Sequence, residues 1–343
     1  MKKQFVVVMF LAGILMFSGC NIKQRGWEAE GVIAVMADAE EWEALEIPVR
    51  KTFERVIRTP QFEHTFNLRY VKPEEFKAYT EYHYLVLLAS LESKGHIGDI
   101  VNKAISNPEI RAQVERGERF YIQLNNQWAQ NQILMMLVAK DNEALQAHLL
   151  ASGDEVYRAF DDVVNARLKK EMFDKKEQVE IEKRLMRTYN WSIRLQHDYF
   201  IAQEVYGQGI IWFRRMFPER WIFVRWIDDA DASLLNQNWV INERNRIGAE
   251  YYGNDKISDR YLFSYRDTFL GRPAQITEGL WENDEKNAGG PFKNYTFYDA
   301  DTKRVYMLDL AIYAPARDKM PYLKRHEIIA HTFRTIFDVE IEK

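Results

Sequence analysis

The first half of the chain alternates short apolar runs with polar segments that favour helices. The apolar runs have the length and composition of β-strands, and they occupy residues 31–37, 66–71, 84–91, 120–124 and 132–140. The intervening segments predict helices at residues 38–57, 72–75 and 97–105. This alternation is typical of a sheet backed by helices, and it predicts an N-terminal α+β half over residues 31–152.

A long helix with many charges is predicted next, over residues 153–188. Between Asp161 and Arg187, 15 of 27 residues are charged, which leaves only a narrow apolar stripe. Two interpretations are open: a solvated helix over residues 153–190 that connects two halves, or a helix that docks onto an envelope assembly. The stripe has helical spacing and consists of Phe160, Val164, Leu168, Met172, Val179 and Met186.

The rest of the chain predicts a second half over residues 191–343. Three strands that form a meander come first, then a helix from about Asp231 to Arg246, three more strands and a final helix over residues 319–335. The fold class is therefore predicted as α+β, with two α/β-sandwich-like halves joined by the long charged helix. Each half has a mixed or antiparallel sheet backed by helices. The six strands are predicted at residues 199–205, 210–215, 221–227, 275–281, 294–298 and 304–314.

The N-terminus has the features of a lipoprotein signal. Lys2 and Lys3 precede an apolar run over residues 5–17, which is too short to cross a hydrocarbon core of about 30 Å as a helix. Small residues follow, and then comes Cys20, the only cysteine of the chain. We therefore predict a signal peptide over residues 1–19, lipidation of Cys20, and a polar tether over residues 20–30.

Lipidation would place the protein in the cell envelope. Two or three acyl chains on Cys20 anchor a protein stably, so the membrane is the first expected partner. No acidic run follows the cysteine, which favours a lipid anchor in the Gram-negative outer membrane that faces the periplasm. With a single cysteine, an intramolecular disulfide framework is excluded.

Composition narrows the classes of function further. The 343 residues are 47% hydrophobic and 14% aromatic, which excludes a disordered chain, and the one long apolar run excludes a polytopic membrane protein. A net charge of −4 argues against a nucleic-acid partner.

Neither a metal site nor a cofactor is expected from the motifs. His326 and His331 are five residues apart, which sets them about 140° apart around a helix, whereas a zinc-binding helix needs a spacing of four. Gly207-Gln208-Gly209 lacks the glycine spacing and the following helix of a dinucleotide fingerprint.

Carboxylates offer the only candidates for catalysis. Asp228 and Asp229 follow a predicted strand, and Glu278 lies in a later one. Such residues could act as the general acid and base of a periplasmic hydrolase. The alternative interpretation of the aspartates is a helix N-terminus, where the helix dipole favours acidic residues.

Aromatic and arginine residues are dense in the meander. Strand alternation puts Trp221 and Phe223 on one face and Trp226 on the other, and Trp212 and Arg214 lie in the strand before. A groove lined by such residues could bind a glycan or peptide through stacking and charge. In the alternative interpretation, one face of these strands belongs to the core and the other is an amphipathic surface without a ligand.

An unusual glycine-rich segment follows Trp281. Gly289 and Gly290 permit positive φ angles, and Pro291 fixes an extended entry into the next strand. We expect a loop over residues 288–292, where a ligand approaches backbone amides or where the chain bends tightly under Trp281.

These residues also carry a family resemblance. Glu278-Gly279-Leu280-Trp281, Gly289-Gly290-Pro291-Phe292 and the later Asp309 and Tyr313 resemble the uncharacterised bacterial envelope lipoprotein family that contains domain of unknown function 4837. The family has no assigned activity, so the resemblance implies an envelope lipoprotein and no catalytic residues. Weaker matches extend the resemblance over nearly all of the mature chain, at Trp42, Trp128-Ala129, Gln132, residues 198–202 and residues 212–214.

Together these features favour a non-catalytic binding or assembly factor for an envelope protein or glycan. The alternative is a periplasmic hydrolase that uses an Asp/Glu pair. The candidate binding residues are Trp281, Gly289, Gly290, Pro291, Trp212, Arg214, Trp128 and Gln132.

Overall fold

The computed structural model describes residues 31–174 and 176–341. The predicted signal peptide (residues 1–19) and the whole of the predicted tether (residues 20–30), including Cys20, lie outside the described residues. Within the described ranges, no helix is long and apolar enough to cross a membrane. The predicted α+β class is confirmed, with one large mixed sheet, one large antiparallel sheet and two strand pairs.

The N-terminal half is built on a five-stranded sheet. Its strand order is β4-β1-β5-β7-β6, and all neighbours are parallel except β6 and β7. The central strands β5 and β7 are buried along their whole length, which explains their uninterrupted apolar sequences. The strands are β1 (Val32–Ala37), β2 (Val56–Arg58), β3 (Phe62–His64), β4 (Asn67–Val71), β5 (Tyr84–Ser90), β6 (Tyr121–Asn125) and β7 (Ile133–Ala139). The helices are α1 (Ala39–Phe53), α2 (Phe76–Tyr79), α3 (His96–Ala104), α4 (Pro108–Glu115) and α5 (Asn142–Phe173).

The C-terminal half is built on a seven-stranded antiparallel sheet. Its strand order is β12-β13-β14-β15-β11-β10-β9, while β8 pairs with β16 apart from it. The strands are β8 (Trp191–Ser192), β9 (Phe200–Val205), β10 (Ile210–Arg215), β11 (Glu219–Ile227), β12 (Lys256–Phe269), β13 (Arg272–Asn283), β14 (Ala288–Asp299), β15 (Arg304–Tyr313) and β16 (Arg334–Thr335). The helices are α6 (Val179–Tyr189), α7 (Gln237–Tyr251), α8 (Met320–Ala330) and α9 (Ile336–Ile341).

The predicted connecting helix differs from the observed one. The segment over residues 153–188 contains parts of two helices, because α5 begins earlier, bends at Ser152 and ends at Phe173, before α6 begins at Val179. The apolar residues at positions 156, 160, 164, 168 and 172 of α5 are all buried, so its narrow stripe faces the core and not a free partner surface.

Other elements also differ from the prediction: β2, β3, α4 and β8 are absent from it, and three larger differences follow. Strand β12, with 14 residues, is missing from the prediction, because polar residues interrupt its apolar ones and much of it is exposed at the sheet edge. Helix α7 begins after Asn236, whose side chain accepts a hydrogen bond from the Trp239 amide, while Asp231 caps only a short turn. The predicted final helix is divided into α8, β16 and α9.

One continuous apolar core joins the two halves. Helix α5 packs against α1 of the first half and α8 of the second, and α8 in turn packs on β15. Polar contacts reinforce this junction: Glu63 Oε2 accepts hydrogen bonds from the amides of Lys319 and Met320, both at 2.7 Å. The second face of the C-terminal sheet has a separate core beneath α7.

A buried ion pair fixes α7 to that face. Arg244 Nε donates to Asp309 Oδ2 at 3.0 Å, and both side chains are almost completely buried. Asn294 donates to the same carboxylate oxygen, and the Arg244 guanidinium lies 4.2 Å from the centre of the Phe292 ring. Burial raises the pKa of Asp309, whereas Arg244 opposes that rise by stabilising the carboxylate.

Asp309→Asn should lower the free energy of unfolding by about 3–5 kcal/mol, because it leaves the Arg244 charge buried without a counter-ion. Urea denaturation would measure the loss. The double variant Arg244→Met/Asp309→Leu should recover most of it, since no buried charge is left. A single variant within about 0.5 kcal/mol of the wild type would show that the pair does not hold α7 in place.

A second buried carboxyl group makes stability depend on pH. Burial and the neighbouring Glu177 raise the pKa of Glu182 on α6 to about 8, from an ordinary value of 4.5. Arg194 binds both oxygens of Glu177, at 2.5 and 2.8 Å, so Glu177 is the partner that stays ionised.

The folded protein therefore holds a proton on Glu182 that the unfolded chain releases above pH 4.5 or so. This contribution to stability is complete below about pH 4.5 and is lost as the pH rises through 8. Melting temperatures should fall between pH 5 and pH 8 more steeply in the wild type than in Glu182→Gln. Glu180→Gln, a change at an exposed site of the same helix, should behave as the wild type. Parallel wild-type and Glu182→Gln profiles would contradict the assignment.

Candidate functional site

A cavity of about 410 Å³ opens between the C-terminal sheet and the end of α7. Strands β10 and β11 supply Trp212, Arg214 and Trp221, and β13 supplies Trp281. These residues face one side of the sheet because alternate residues of a strand share a face. Three predicted binding residues, Trp212, Arg214 and Trp281, thus lie around one cavity. The remaining lining residues are Glu219, Tyr251, Tyr252, Gly253, Asp255, Lys286, Ala288 and Tyr313.

The aromatic rings of the cavity pack edge to face. The Trp221 and Trp281 rings cross at 61° with centroids 5.1 Å apart, and Trp212 meets Tyr252 at 65° and 4.4 Å. Trp281 is fixed further by its indole N–H, which donates to the Ile312 carbonyl at 3.2 Å. Such contacts hold the rings in fixed orientations, so the aromatic wall is formed before any ligand arrives.

Several polar atoms at this wall are buried without a hydrogen-bond partner among the described residues. They are the indole nitrogens of Trp212 and Trp221 and the hydroxyl of Tyr252. Buried polar groups are almost always paired, so unpaired donors at a cavity indicate a bound water or a ligand oxygen. Burial raises the pKa of Tyr252 well above its ordinary value, which keeps its hydroxyl protonated and able to donate.

Charged groups surround the aromatic wall. Arg214 Nη2 lies 2.6 Å from Glu219 Oε1, and Lys286 Nζ donates to the Tyr252 carbonyl at 3.2 Å. Asp255 accepts from Asn283 Nδ2 at 2.6 Å, and burial raises the pKa of the Asp255 carboxyl. The cavity thus combines flat apolar rings with donors and acceptors of both charges, which suits a neutral polyhydroxylated ligand.

The glycine-rich segment is not the predicted loop. Residues 288–292 belong to strand β14, where Gly289 pairs with Glu282 and Gly290 with Trp281, and neither glycine has a positive φ. A Cβ at Gly290 would lie 2.0 Å from the Ile312 carbonyl oxygen. The glycine is therefore needed for close packing of the strand between Trp281 and the Ile312 carbonyl, and the tight bend expected from the sequence is not found at residues 288–292. Gly289 and Gly290 line a separate groove with Phe62, and Pro291 lines a cavity between the two halves.

Gly290→Ala should destabilise the protein by about 1–3 kcal/mol, because the added methyl group meets backbone that cannot easily move. Thermal unfolding would measure the loss, and the emission of Trp281 should change as its hydrogen bond to Ile312 is displaced. Gly207→Ala is the matched control, since a Cβ at Gly207 meets nothing within 4 Å. Equal melting temperatures for the two variants would contradict the packing role of Gly290.

The other two candidate binding residues lie in the N-terminal half. Gln132 is buried, and its amide nitrogen donates to the carbonyls of Thr80 and Tyr82 at 2.6 and 2.8 Å. The Trp128 amide donates to the Gln132 side chain, and the Trp128 ring packs edge to face on Phe76. These contacts hold a turn together, and the two residues are far from the aromatic cavity in the fold.

The carboxylates proposed for catalysis are dispersed. Asp228 pairs with Arg304 at 2.6 Å at one end of β11, and Asp229 lies in the turn that follows it. Glu278 lies instead in the cavity between the halves, 3.8 Å from Lys293 Nζ. Lys293 also pairs with Glu327 of α8. The structure therefore does not bring Asp228 or Asp229 together with Glu278 around a common substrate position.

The two histidines are also separated. His326 is buried and its Nε2 lies 2.9 Å from the Tyr199 hydroxyl, whereas His331 is exposed. Burial and nearby arginines lower the pKa of His326 well below its ordinary value, so the ring is neutral. Among the described residues, no group of three or more His, Cys, Asp or Glu side chains could hold a metal ion.

Sequence reasoning missed several residues of the cavity. Tyr251 is the last residue of α7, Tyr252 and Asp255 follow the helix, and Lys286 comes from the turn between β13 and β14. No spacing in the sequence relates them to Trp212 or Trp281. The one signal for these cavity residues in the sequence is the pair of tyrosines directly before Gly253. That pattern is also the pattern of an ordinary helix end.

Several solved structures are similar to less than half of this chain. CyanoP, the PsbP of Synechocystis sp. PCC 6803, is 13% identical over 43% of this chain and 86% of its own, with a TM-score of 0.31. The Ran-binding protein Mog1p of Saccharomyces cerevisiae is 11% identical over 43% and 93%, with a TM-score of 0.30. LpqN, described as involved in cell envelope biogenesis of Mycobacterium tuberculosis, is 14% identical over 42% and 81%, with a TM-score of 0.28. No protein with a curated description matches the sequence.

Two domain families match the chain in succession. Residues 29–173 match Domain of unknown function (DUF8532), and residues 178–332 match Domain of unknown function (DUF4837). The two matches meet at the break between α5 and α6. The resemblance noted from the motifs is thus confirmed for the C-terminal half, whereas Trp42, Trp128 and Gln132 lie in the other domain. Each match covers less than half of the chain, and both are to domains of unknown function.

Proposed function

We propose that this protein is a non-catalytic envelope protein, anchored through a lipidated Cys20, whose aromatic cavity binds a glycan of the cell envelope. The observation that carries the proposal is the group of unpaired donors beside Trp212, Trp221 and Tyr252. A sugar ring offers apolar C–H faces to aromatic rings and hydroxyl oxygens to buried donors, so it matches both features at once.

The charges of the cavity support an uncharged ligand. The two acidic and two basic side chains balance, and Arg214 is already paired with Glu219. A strongly anionic or cationic ligand would have to break that pair. A volume of about 410 Å³ is within the usual range for small-ligand cavities and is large enough for one or two sugar residues.

The dispersed carboxylates support binding over hydrolysis. Asp228 and Asp229 lie at the end of β11 beyond Ile227, whereas the cavity lies towards the other end of that strand, near Trp221 and Glu219. Within the cavity, Glu219 is committed to Arg214 and Asp255 to Asn283. The geometry thus supplies recognition groups, and the envelope location rests on the predicted lipid anchor.

The binding proposal can be tested with the full-length protein in detergent. An array of bacterial envelope glycans would identify a bound sugar, and calorimetry would measure its affinity. Trp212→Ala should weaken binding at least tenfold, about 1.4 kcal/mol, because it removes a stacking ring and one unpaired donor. Trp212 is only half-buried, so the fold should persist.

Trp128→Ala is the matched control, since it removes a half-buried tryptophan far from the cavity. It should bind as the wild type does. Equal losses in both variants would mean that binding occurs outside the cavity, and a wild type that binds no glycan on the array would refute the proposed ligand class.

A further inference from the structure

The turn between β10 and β11 contains two exposed apolar side chains. Phe217 is 90% exposed and Met216 is 40% exposed, at the tip of a hairpin that projects from the C-terminal sheet. Phe217 is the most exposed of the large apolar side chains among the described residues, and Met216 lies directly before it. The opposite end of β10 carries another exposed aromatic residue, Tyr206, in the turn after β9.

Arginines surround this tip. Arg214 and Arg215 end β10, and Arg220 lies opposite Arg215 in β11. Arg214 pairs with Glu219 and Arg215 with Asp198. The base of the hairpin therefore has more positive than negative side chains, because Arg220 has no carboxylate of its own among these pairs.

Arg220 is buried, and no carboxylate of the described residues forms an ion pair with it. Its Nε is buried and has no hydrogen-bond partner among the described residues, and its guanidinium lies 4.7 Å from the centre of the Tyr322 ring. Burial and the nearby Arg215 and Arg325 lower the pKa of Arg220. Arg220 is too buried to bind a lipid directly, but its charge adds to the positive potential at the base of the hairpin, which attracts anions such as lipid phosphates.

The chain enters the fold at the same end of the molecule. Gly31 lines a small cavity together with Met320 and Pro321. Tyr322 follows Pro321 in the chain, and the Arg220 guanidinium lies over its ring. Phe62, which is 74% exposed, lines the same cavity. Only eleven residue steps separate Gly31 from Cys20, a reach of at most about 40 Å. A lipid on Cys20 would therefore keep this end of the protein near the bilayer.

We propose that this end of the protein lies on the lipid surface, with Phe217 and Met216 inserted among the headgroups and the positively charged base of the hairpin facing the lipid phosphates. Aromatic side chains favour the membrane interface, and anionic headgroups attract a positively charged protein surface. The proposal rests on the predicted lipid anchor but is independent of the glycan ligand. The protein then has a fixed orientation on the membrane.

Spin labels can measure the position of the tip in the full-length lipoprotein reconstituted into vesicles of phosphatidylethanolamine and phosphatidylglycerol. Cys20 is the only cysteine, and acylation removes its thiol, so Phe217→Cys provides one site for labelling. The label should be accessible to oxygen and protected from a water-soluble nickel chelate. Met216→Cys serves as a second position if the first variant folds poorly.

Tyr206→Cys is the matched control, because it replaces an exposed aromatic residue in the turn at the other end of β10. Its ratio of oxygen to nickel accessibility should be severalfold lower than that at position 217. Equal ratios at the two positions would overturn the proposal. Loss of mobility at position 217 without protection from nickel would also overturn it, since it would indicate contact with protein in place of lipid.

The wild-type protein separates this result from failure of the anchor. If Cys20 is acylated, the wild type should take up no label and should float with the vesicles. A labelled wild type that stays out of the vesicle fraction would refute the lipid anchor, and with it the proposed location. Neither result depends on whether the aromatic cavity binds a glycan.

Discussion

Helix α5 carries an apolar stripe at four-residue spacing, and both halves of the protein are packed against it. Phe160, at the centre of the stripe, contacts Phe53, Phe66 and Tyr84 of the N-terminal half edge to face. Helix α8 lies against the same helix, and Lys324 of α8 pairs with Asp161. Because one helix supplies core contacts to both sides, the two matched domains share a continuous core. The surfaces that meet at this junction are consequently fixed in position.

The aromatic cavity depends on the opposite face of the C-terminal sheet. There α7 is fixed by the pair of Arg244 and Asp309, and Tyr252 follows directly after the helix. Three strands supply the tryptophans, while the helix end supplies the tyrosines and Asp255. Close backbone packing at Gly290 allows Trp281 to reach the Ile312 carbonyl. The aromatic wall therefore lies on rigid elements. This suits it to recognition, because a bound ligand would not have to pay the conformational entropy of ordering the wall.

Strands with strong apolar character were predictable from the sequence. β1, β5 and β7 are buried on both faces, so apolar content alone identifies them, and β10 and β11 are rich in β-branched and aromatic residues. β12 lacks both signals, because it is a partly exposed edge strand whose pairing with β13 holds it in place. The glycines after Trp281 were misassigned to a loop, because glycine marks both turns and close contacts between strands, and only the neighbouring strand shows which applies.

The sequence by itself determined the α+β class and the alternation that separates Trp221 from Trp226, and it predicts an N-terminal lipid signal. Each of these depends on residues close together in the chain, whose period, length or order carries the information. Only the tertiary structure decided that Trp212, Trp281 and Tyr252 surround one cavity, and that the β10–β11 tip lies at the end where the chain enters the fold. The residues of the cavity and of the tip come from separate strands and helices. The strand pairing and helix packing that bring them together leave no signal in the local sequence around any one of them.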